Sequence, residues 1–214
     1  MRTRAELKAM AKEQIAGKIG ILFLISFIIF LISFAVSAIL GRIPGGEIIS
    51  TVIITPAFTI SILRVYLNLA NGISPKIDDT FSGFDDFWCA FKVTFFVGLY
   101  TFLWSLLFII PGIIKAYSYS QATYIVAENK GMPAHEAIRR SKAMMEGHKM
   151  DLFVLSLSFI GWGILGAFTL GILYIWLTPY MNATFVNFYN DLKVLNGYYP
   201  TNNEEPAYQP VEQA

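Results

Sequence analysis

From Leu152 to Asn190 the chain runs 39 residues without an Asp, Glu, Lys, Arg or His. Some 20 apolar residues suffice to cross a bilayer, so the run is too long for one buried helix and long enough for two spans. Gly161, Gly163, Gly166 and Gly171 interrupt it near its middle. It reads as two spanning helices joined by a tight turn, and the chain as an all-α integral membrane protein. Composition agrees: 55% of residues are hydrophobic and 14% charged, against about 25% charged in a soluble domain. The single cysteine, Cys89, excludes an internal disulfide.

The remaining spans follow from where charges are missing. Ile19 to Gly41 is uncharged, and although Ala35 and Ser37 are small enough for a cleavage site, the stretch exceeds the 7–15 apolar residues of a signal peptide. A second span covers residues 48–70, with Arg64 inside it. Val93 to Ile114 would pass as one helix, but proline cannot continue a hydrogen-bond ladder and Pro-Gly marks turns. Splitting at Pro111-Gly112 gives spans 93–110 and 112–127, and the opening run supplies 152–167 and 170–190.

Positive charge supports this division, because cytoplasmic loops carry an excess of Lys and Arg. With six spans and both termini inside, 14 of the 16 Lys and Arg residues fall on the inner side, leaving only Arg42 and Lys115 outside. Five spans would place the basic 130–149 segment outside. The expected architecture is therefore six transmembrane helices as three hairpins in a domain covering residues 1–195. The Pro-, Asn- and Glu-rich tail, 196–214, is expected to be disordered.

Each hairpin is preceded by a short amphipathic segment on the cytoplasmic face. The first opens with Thr3 and Glu6 at capping-box spacing and groups Leu7, Met10, Ala11 and Ile15. The second starts at Ser82 and Asp85 and groups Phe84, Phe87, Trp88 and Phe91. The third starts at Pro133, a favoured first helical residue, with Ala134, Ala137, Ile138, Ser141 and Met145 on one side and Arg139, Arg140 and Lys142 on another. Such helices suit an interface, apolar side in lipid and basic side toward anionic headgroups, which makes Arg139, Arg140 and Lys142 candidate lipid-phosphate contacts. A fainter echo joins spans two and six: Thr55-Pro56 precedes Tyr66 by the spacing at which Thr178-Pro179 precedes Tyr189.

Several strings resemble a known family: Arg4-Ala-Glu-Leu-Lys8, Ile110-Pro-Gly-Ile-Ile-Lys115 followed by Tyr117-Ser118, Ser141-Lys-Ala-Met-Met-Glu-Gly-His-Lys149, Leu157-Ser-Phe-Ile-Gly-Trp162, Thr169-Leu-Gly171 and Trp176-Leu-Thr-Pro-Tyr180. Together they are similar to the bacterial integral-membrane family DUF 975, whose function is unknown, over about Arg2 to Leu195. A more distant likeness reaches inner-membrane proteins of the YciC type and the membrane region of some glycerophosphodiester phosphodiesterases. The resemblance implies a fold and a bacterial plasma-membrane location. It carries no catalytic residues, and this chain has no soluble catalytic domain.

Chemistry-bearing motifs are weak. His135-Glu136 begins the zinc pattern H-E-x-x-H, but Arg139 stands where the second histidine belongs. Asp78, Asp79, Asp85 and Asp86 could hold a hard cation, yet Asp85 and Asp86 also sit where carboxylates favour a helix N-terminus. Cys89 reads as a small apolar filler. No catalytic set, cofactor or metal is expected.

Polar residues inside spans are more informative. Span two carries Thr51, Thr55 and Thr59, span four Tyr117, Gln121, Tyr124 and Glu128, and span six Tyr180, Thr184, Asn187 and Asp191. They either line a central polar seam with Arg64 at its inner mouth, or serve interhelical hydrogen bonding while Arg64 and Lys115 snorkel to the interface. The sequence thus points to a non-enzymatic protein that moves, or protects against, a small amphiphilic solute. The alternative is a membrane scaffold or assembly factor binding a partner through its basic inner helices. The partners expected are the bilayer with its anionic headgroups and a further protein or second copy, not nucleic acid.

Overall fold

The computed structural model describes residues 1–43, 45–169 and 171–198, without the side chains of residues 47–51 and 53. Among these the regular structure is helical: α1 (Arg4–Ile15), α2 (Ile19–Leu40), α3 (Gly46–Ala70), a 3₁₀ segment (Ile77–Phe84), α4 (Phe87–Leu107), α5 (Ile109–Tyr119), α6 (Ala122–Glu128), α7 (Ala134–Met144), α8 (Lys149–Phe168) and α9 (Tyr174–Leu195). Three of them, α2, α4 and α8, are long and apolar enough to cross a membrane, and Ile54–Ala70 within α3 forms a shorter apolar helix. Their large side chains lie largely outside the core. On α2, Phe23, Phe27, Phe30 and Phe34 form an exposed ladder of stacked rings, with centroids 5.8, 6.5 and 6.1 Å apart. So extensive an apolar exterior fits a lipid environment or a partner rather than water.

The core sits where α3 packs against α6, α9 and the 3₁₀ segment. Around it α2 lies on α3, α4 on α5 and α8 on α9, while α1 covers α9 and α7 covers α6 and α4. Both prolines of the Thr-Pro echo, Pro56 and Pro179, lie inside their helices.

The Thr3–Glu6 capping box forms as expected: the Glu6 carboxylate accepts the Thr3 N–H at 2.7 Å and Thr3 Oγ1 accepts the Glu6 N–H at 3.3 Å. The reciprocal bond holds the Glu6 carboxyl below its ordinary range, the Thr3 N–H being the largest cause. The apolar faces of α1 and α7 also fall where the spacing puts them, but protein covers them rather than lipid: Leu7, Ala11 and Ile15 are buried, as are Ala134, Ala137, Ile138 and Ser141. Periodicity identifies an apolar stripe and is silent on what packs against it. Pro133 stands at the N-cap of α7 in extended conformation, one position before the expected first turn.

Three boundaries move for physical reasons. The turn expected at Pro111-Gly112 falls at Phe108, which is extended at φ −156° and ψ 139°. That places Pro111 in the first turn of α5, where the missing N–H costs no hydrogen bond. Gly112 then lets the two helices touch, since a Cβ there would stand 2.2 Å from Ser105 Oγ. The span expected over 112–127 is broken into α5 and α6 at Ser120-Gln121. Finally, the second amphipathic helix is absent as such. Its start is taken by the 3₁₀ segment, where Asp79 accepts the Lys76 N–H at 2.8 Å, and Phe87, Trp88 and Phe91 belong to the opening turns of α4.

At the C-terminal end α9 begins four residues later than expected and runs to Leu195, past the expected end at Asn190. The expected disorder of the tail from residue 199 onward, like the placement of Leu170, lies outside the described residues.

Candidate functional site

The polar residues of the expected seam gather around α3, the α5–α6 break and α9. Arg64 is 7% exposed. Its guanidinium donates to the Asp86 carboxylate at 2.7 Å, to the Ala127 carbonyl at 3.0 Å and to the Ser82 carbonyl. It therefore ties α3 to α6, to the 3₁₀ segment and to the start of α4. Asp86, expected to cap a helix, occupies the N-cap position of α4 without a capping bond and faces Arg64 instead, while Asp85 pairs with Lys130 at 3.3 Å. Lys115 lies over the Trp104 ring, 4.8 Å from its centroid.

The α5–α6 break explains Gln121. Breaking a helix frees backbone groups that must find partners when buried. Ser141 of α7 supplies them, accepting the Gln121 N–H at 3.1 Å and donating to the Ser118 carbonyl at 2.8 Å. The Gln121 side chain is buried, donates to Ser120 Oγ, and leaves its amide oxygen without a partner in the chain. Tyr117 packs edge-on against Phe153, and Tyr124 stacks on Tyr189 with centroids 5.4 Å apart. Tyr189 in turn donates to Glu128 at 2.7 Å, and Lys193 donates to the other oxygen of that carboxylate.

On α9, Asn187 is 1% exposed and exchanges two 3.0 Å hydrogen bonds with Gln14 while donating to the Leu7 carbonyl at 3.3 Å. Asp191 binds Arg2 through both its backbone N–H and its guanidinium. These contacts fasten α1 along α9. Lys8 of α1 lies over the Phe159 ring at 4.3 Å, and its partial burial, followed by the neighbouring Arg4 charge, pushes its ammonium below the usual value.

The hydroxyls behave differently. Thr59 and Thr184 donate to the carbonyls of Thr55 and Tyr180 one turn back, at 2.8 and 2.7 Å, which satisfies them within their own helices. Tyr180 meets the Phe159 ring edge-on. Thr55 is exposed and stands apart from the other seam residues, on a slot between α3 and α4. The Thr51 side chain lies outside the described residues.

The expected phosphate contacts are partly spent. Glu136, buried in α7, accepts from Arg139 at 2.6 Å and from Arg140 at 2.9 Å. Arg140 also lies over Tyr198 and Lys142 over Tyr119. Arg139 keeps 63% of its side chain exposed and Arg140 19%, and Lys142 is exposed as well, so Arg139 and Lys142 retain surface for a headgroup. Of the glycines expected to admit a neighbouring helix, Gly166 does so, a Cβ there standing 2.9 Å from the Tyr174 ring, whereas Gly161 faces open space. Gly163 accepts the Tyr174 hydroxyl at 2.8 Å through its carbonyl.

Gln14 is the group that sequence reasoning passed over, while Asp86, Ser141 and Glu136 carry roles other than the ones the sequence suggests. One signal was present: Ser141 is a polar residue in the middle of an otherwise apolar stripe. Among the described residues no group of three His, Cys, Asp or Glu side chains is arranged to hold a metal.

No curated protein and no solved structure matches this sequence. One family model does, that of the proteins of unknown function DUF975, aligning with residues 1–118 and again with residues 108–196. The two stretches together cover the whole helical region, and the chain belongs to the DUF975 family.

Proposed function

We propose that the chain is a multi-pass protein of a bacterial plasma membrane, crossing six times as three hairpins with both termini cytoplasmic. It acts without catalysis, as a scaffold or assembly factor that binds a protein partner through its basic inner-face helices. The observation that supports this reading is the internal pairing of four polar residues of the expected seam. Arg64, Asn187, Thr184 and Glu128 each spend their polar groups on the protein itself. A conduit leaves polar groups for its solute near the midplane, whereas a scaffold needs a cross-braced core and cations exposed on its outer face, as Arg139 is beyond its pairing with Glu136. The same cations face anionic headgroups, each contributing about 1 kcal/mol near such a surface.

The solute reading is favoured by one feature, the unpartnered amide oxygen of buried Gln121. The two readings separate in a strain lacking the gene, challenged with amphiphiles and complemented with Q121L. A scaffold predicts full complementation at equal membrane abundance, while loss of protection with an intact, inserted protein would shift the assignment to solute handling. Topology is read separately in a C89S background carrying single cysteines: R42C and I172C should label from outside, and K130C only after permeabilisation.

A further inference from the structure

Between α3 and α4 lies an open slot of 380 Å³, walled by Thr55, Pro56, Phe91, Thr94, Gly98 and Phe102 among others, with no charged residue in its lining. It exists for two local reasons. Gly98 has no side chain, and a Cβ built there meets nothing within 4 Å. Beside it, the aromatic rings of α4 rise as a wall, Phe91 stacked on Phe95 at 5.9 Å. The walls are not fully satisfied by the chain alone. Pro56 has no N–H, so the Val52 carbonyl loses its helical donor, and the Thr94 hydroxyl is buried without a partner.

Size and charge select the occupant. From Phe91 to Phe102 the slot follows about 16 Å of α4 at 1.5 Å per residue. A helix of about 10 Å diameter over that length would fill on the order of 1,250 Å³, three times the 380 Å³ present. A single file of carbons, with contact distances near 4 Å, fits. At the end nearest the start of α4 stands Lys92, which is exposed and forms no ion pair among the described residues. Lys92, Phe95 and Leu99 share one stripe of the helix at i, i+3 and i+7, so the cation lies directly below the slot's edge. Phe84 packs edge-on against Phe58 at 5.2 Å, and Gly83 presses on Ala57, next to Pro56. The 3₁₀ segment thus closes the same end beneath the chain.

We propose that this slot holds one acyl chain of an anionic phospholipid, with Lys92 pairing with the headgroup phosphate. The site rests on the membrane placement proposed above and adds to it a specific lipid. It is tested with the full-length protein in phosphatidylcholine nanodiscs containing a small fraction of phosphatidylglycerol that carries a diazirine on one acyl chain, with adducts mapped by mass spectrometry. Adducts are expected to concentrate on residues 52–56 and 91–102 over the exposed ladder of α2. K92Q should lower slot labelling about fivefold, the equivalent of about 1 kcal/mol for one cation near an anionic surface. The same lipid with a phosphatidylcholine head should label weakly and show no response to K92Q. G98L puts a branched side chain at the slot from a position where a Cβ meets nothing within 4 Å, and should remove its adducts while those on α2 persist.

Equal labelling of slot and ladder would overturn the site. An unchanged yield in K92Q, or equal yields from the two headgroups, would overturn the anionic pairing. Crosslinks joining the slot to a second copy would show protein rather than lipid on this face. Failure of the membrane placement looks different from all of these, because the α2 ladder itself would then carry no adducts.

Discussion

Arg64→Met tests the claim that Arg64 is a brace. The substitution keeps most of the side-chain volume but strips donors from the Asp86 carboxylate and from the Ala127 and Ser82 carbonyls. Removing one partner of a buried ion pair costs about 3–5 kcal/mol, because the remaining charge stays buried without compensation. Asp86 keeps 18% of its side-chain surface, so the lower end of that range applies. At about 2–4 °C per kcal/mol for a chain of this size, the expected fall in Tm is about 6–12 °C. The chain carries its own reporter: Cys89, its only cysteine, is half-buried three residues beyond Asp86. A thiol-reactive dye in detergent should therefore show Cys89 labelling early in R64M, before the global transition. R64M/D86N should recover part of the loss, since the orphaned charge is gone. Parental Cys89 reactivity and Tm in R64M would refute the brace, and if function were lost at the same time Arg64 would belong to a pathway.

Three further perturbations probe other joints. N187L strands the Gln14 amide and the Leu7 carbonyl at about 1–3 kcal/mol per unsatisfied group, and should raise hydrogen exchange across α1 while α4 and α8 stay protected. Exchange confined to α9 would contradict the proposed fastening. G166A should destabilise by about 1–3 kcal/mol through the Tyr174 ring, whereas G161A, in open space, should stabilise by roughly 0.5–1 kcal/mol through helix propensity; thermal unfolding of the pair checks both signs. The Glu6 carboxyl is held low by Thr3, so its contribution to α1 is present above pH 4.5 and drains away as pH falls through the lower folded value. Exchange of the Thr3 amide should accelerate over that acid interval, and E6Q should flatten the dependence.

What the residues announced in advance was local or compositional. The uncharged run from Leu152 yields α8 and most of α9, and the Thr3–Glu6 spacing yields both bonds of a capping box. The boundary at Pro111 was missed by three residues because proline's steric veto applies to the helix before it, not to the first turn of its own. The break at Ser120-Gln121 had no Gly or Pro to mark it: the backbone groups it frees are satisfied by Ser141, 20 residues further on. Arg64 reads as a seam mouth or a snorkelling cation, and Asp86 as a cation ligand or a cap, for the same reason. Each was judged against its own helix, and the pairing that explains both spans 22 residues.

Gln14 and Asn187, which hold α1 to α9, are 173 residues apart in sequence. At roughly 5–20 residues per second of synthesis, the first helix leaves the ribosome about 10–35 s before its seat exists. During that interval the face of α1 that packs on α9 has no seat to cover it. α9 therefore gives α1 its seat, and a nascent chain cut short before Asn187 would be distinguishable from a longer one by an α1 that never docks.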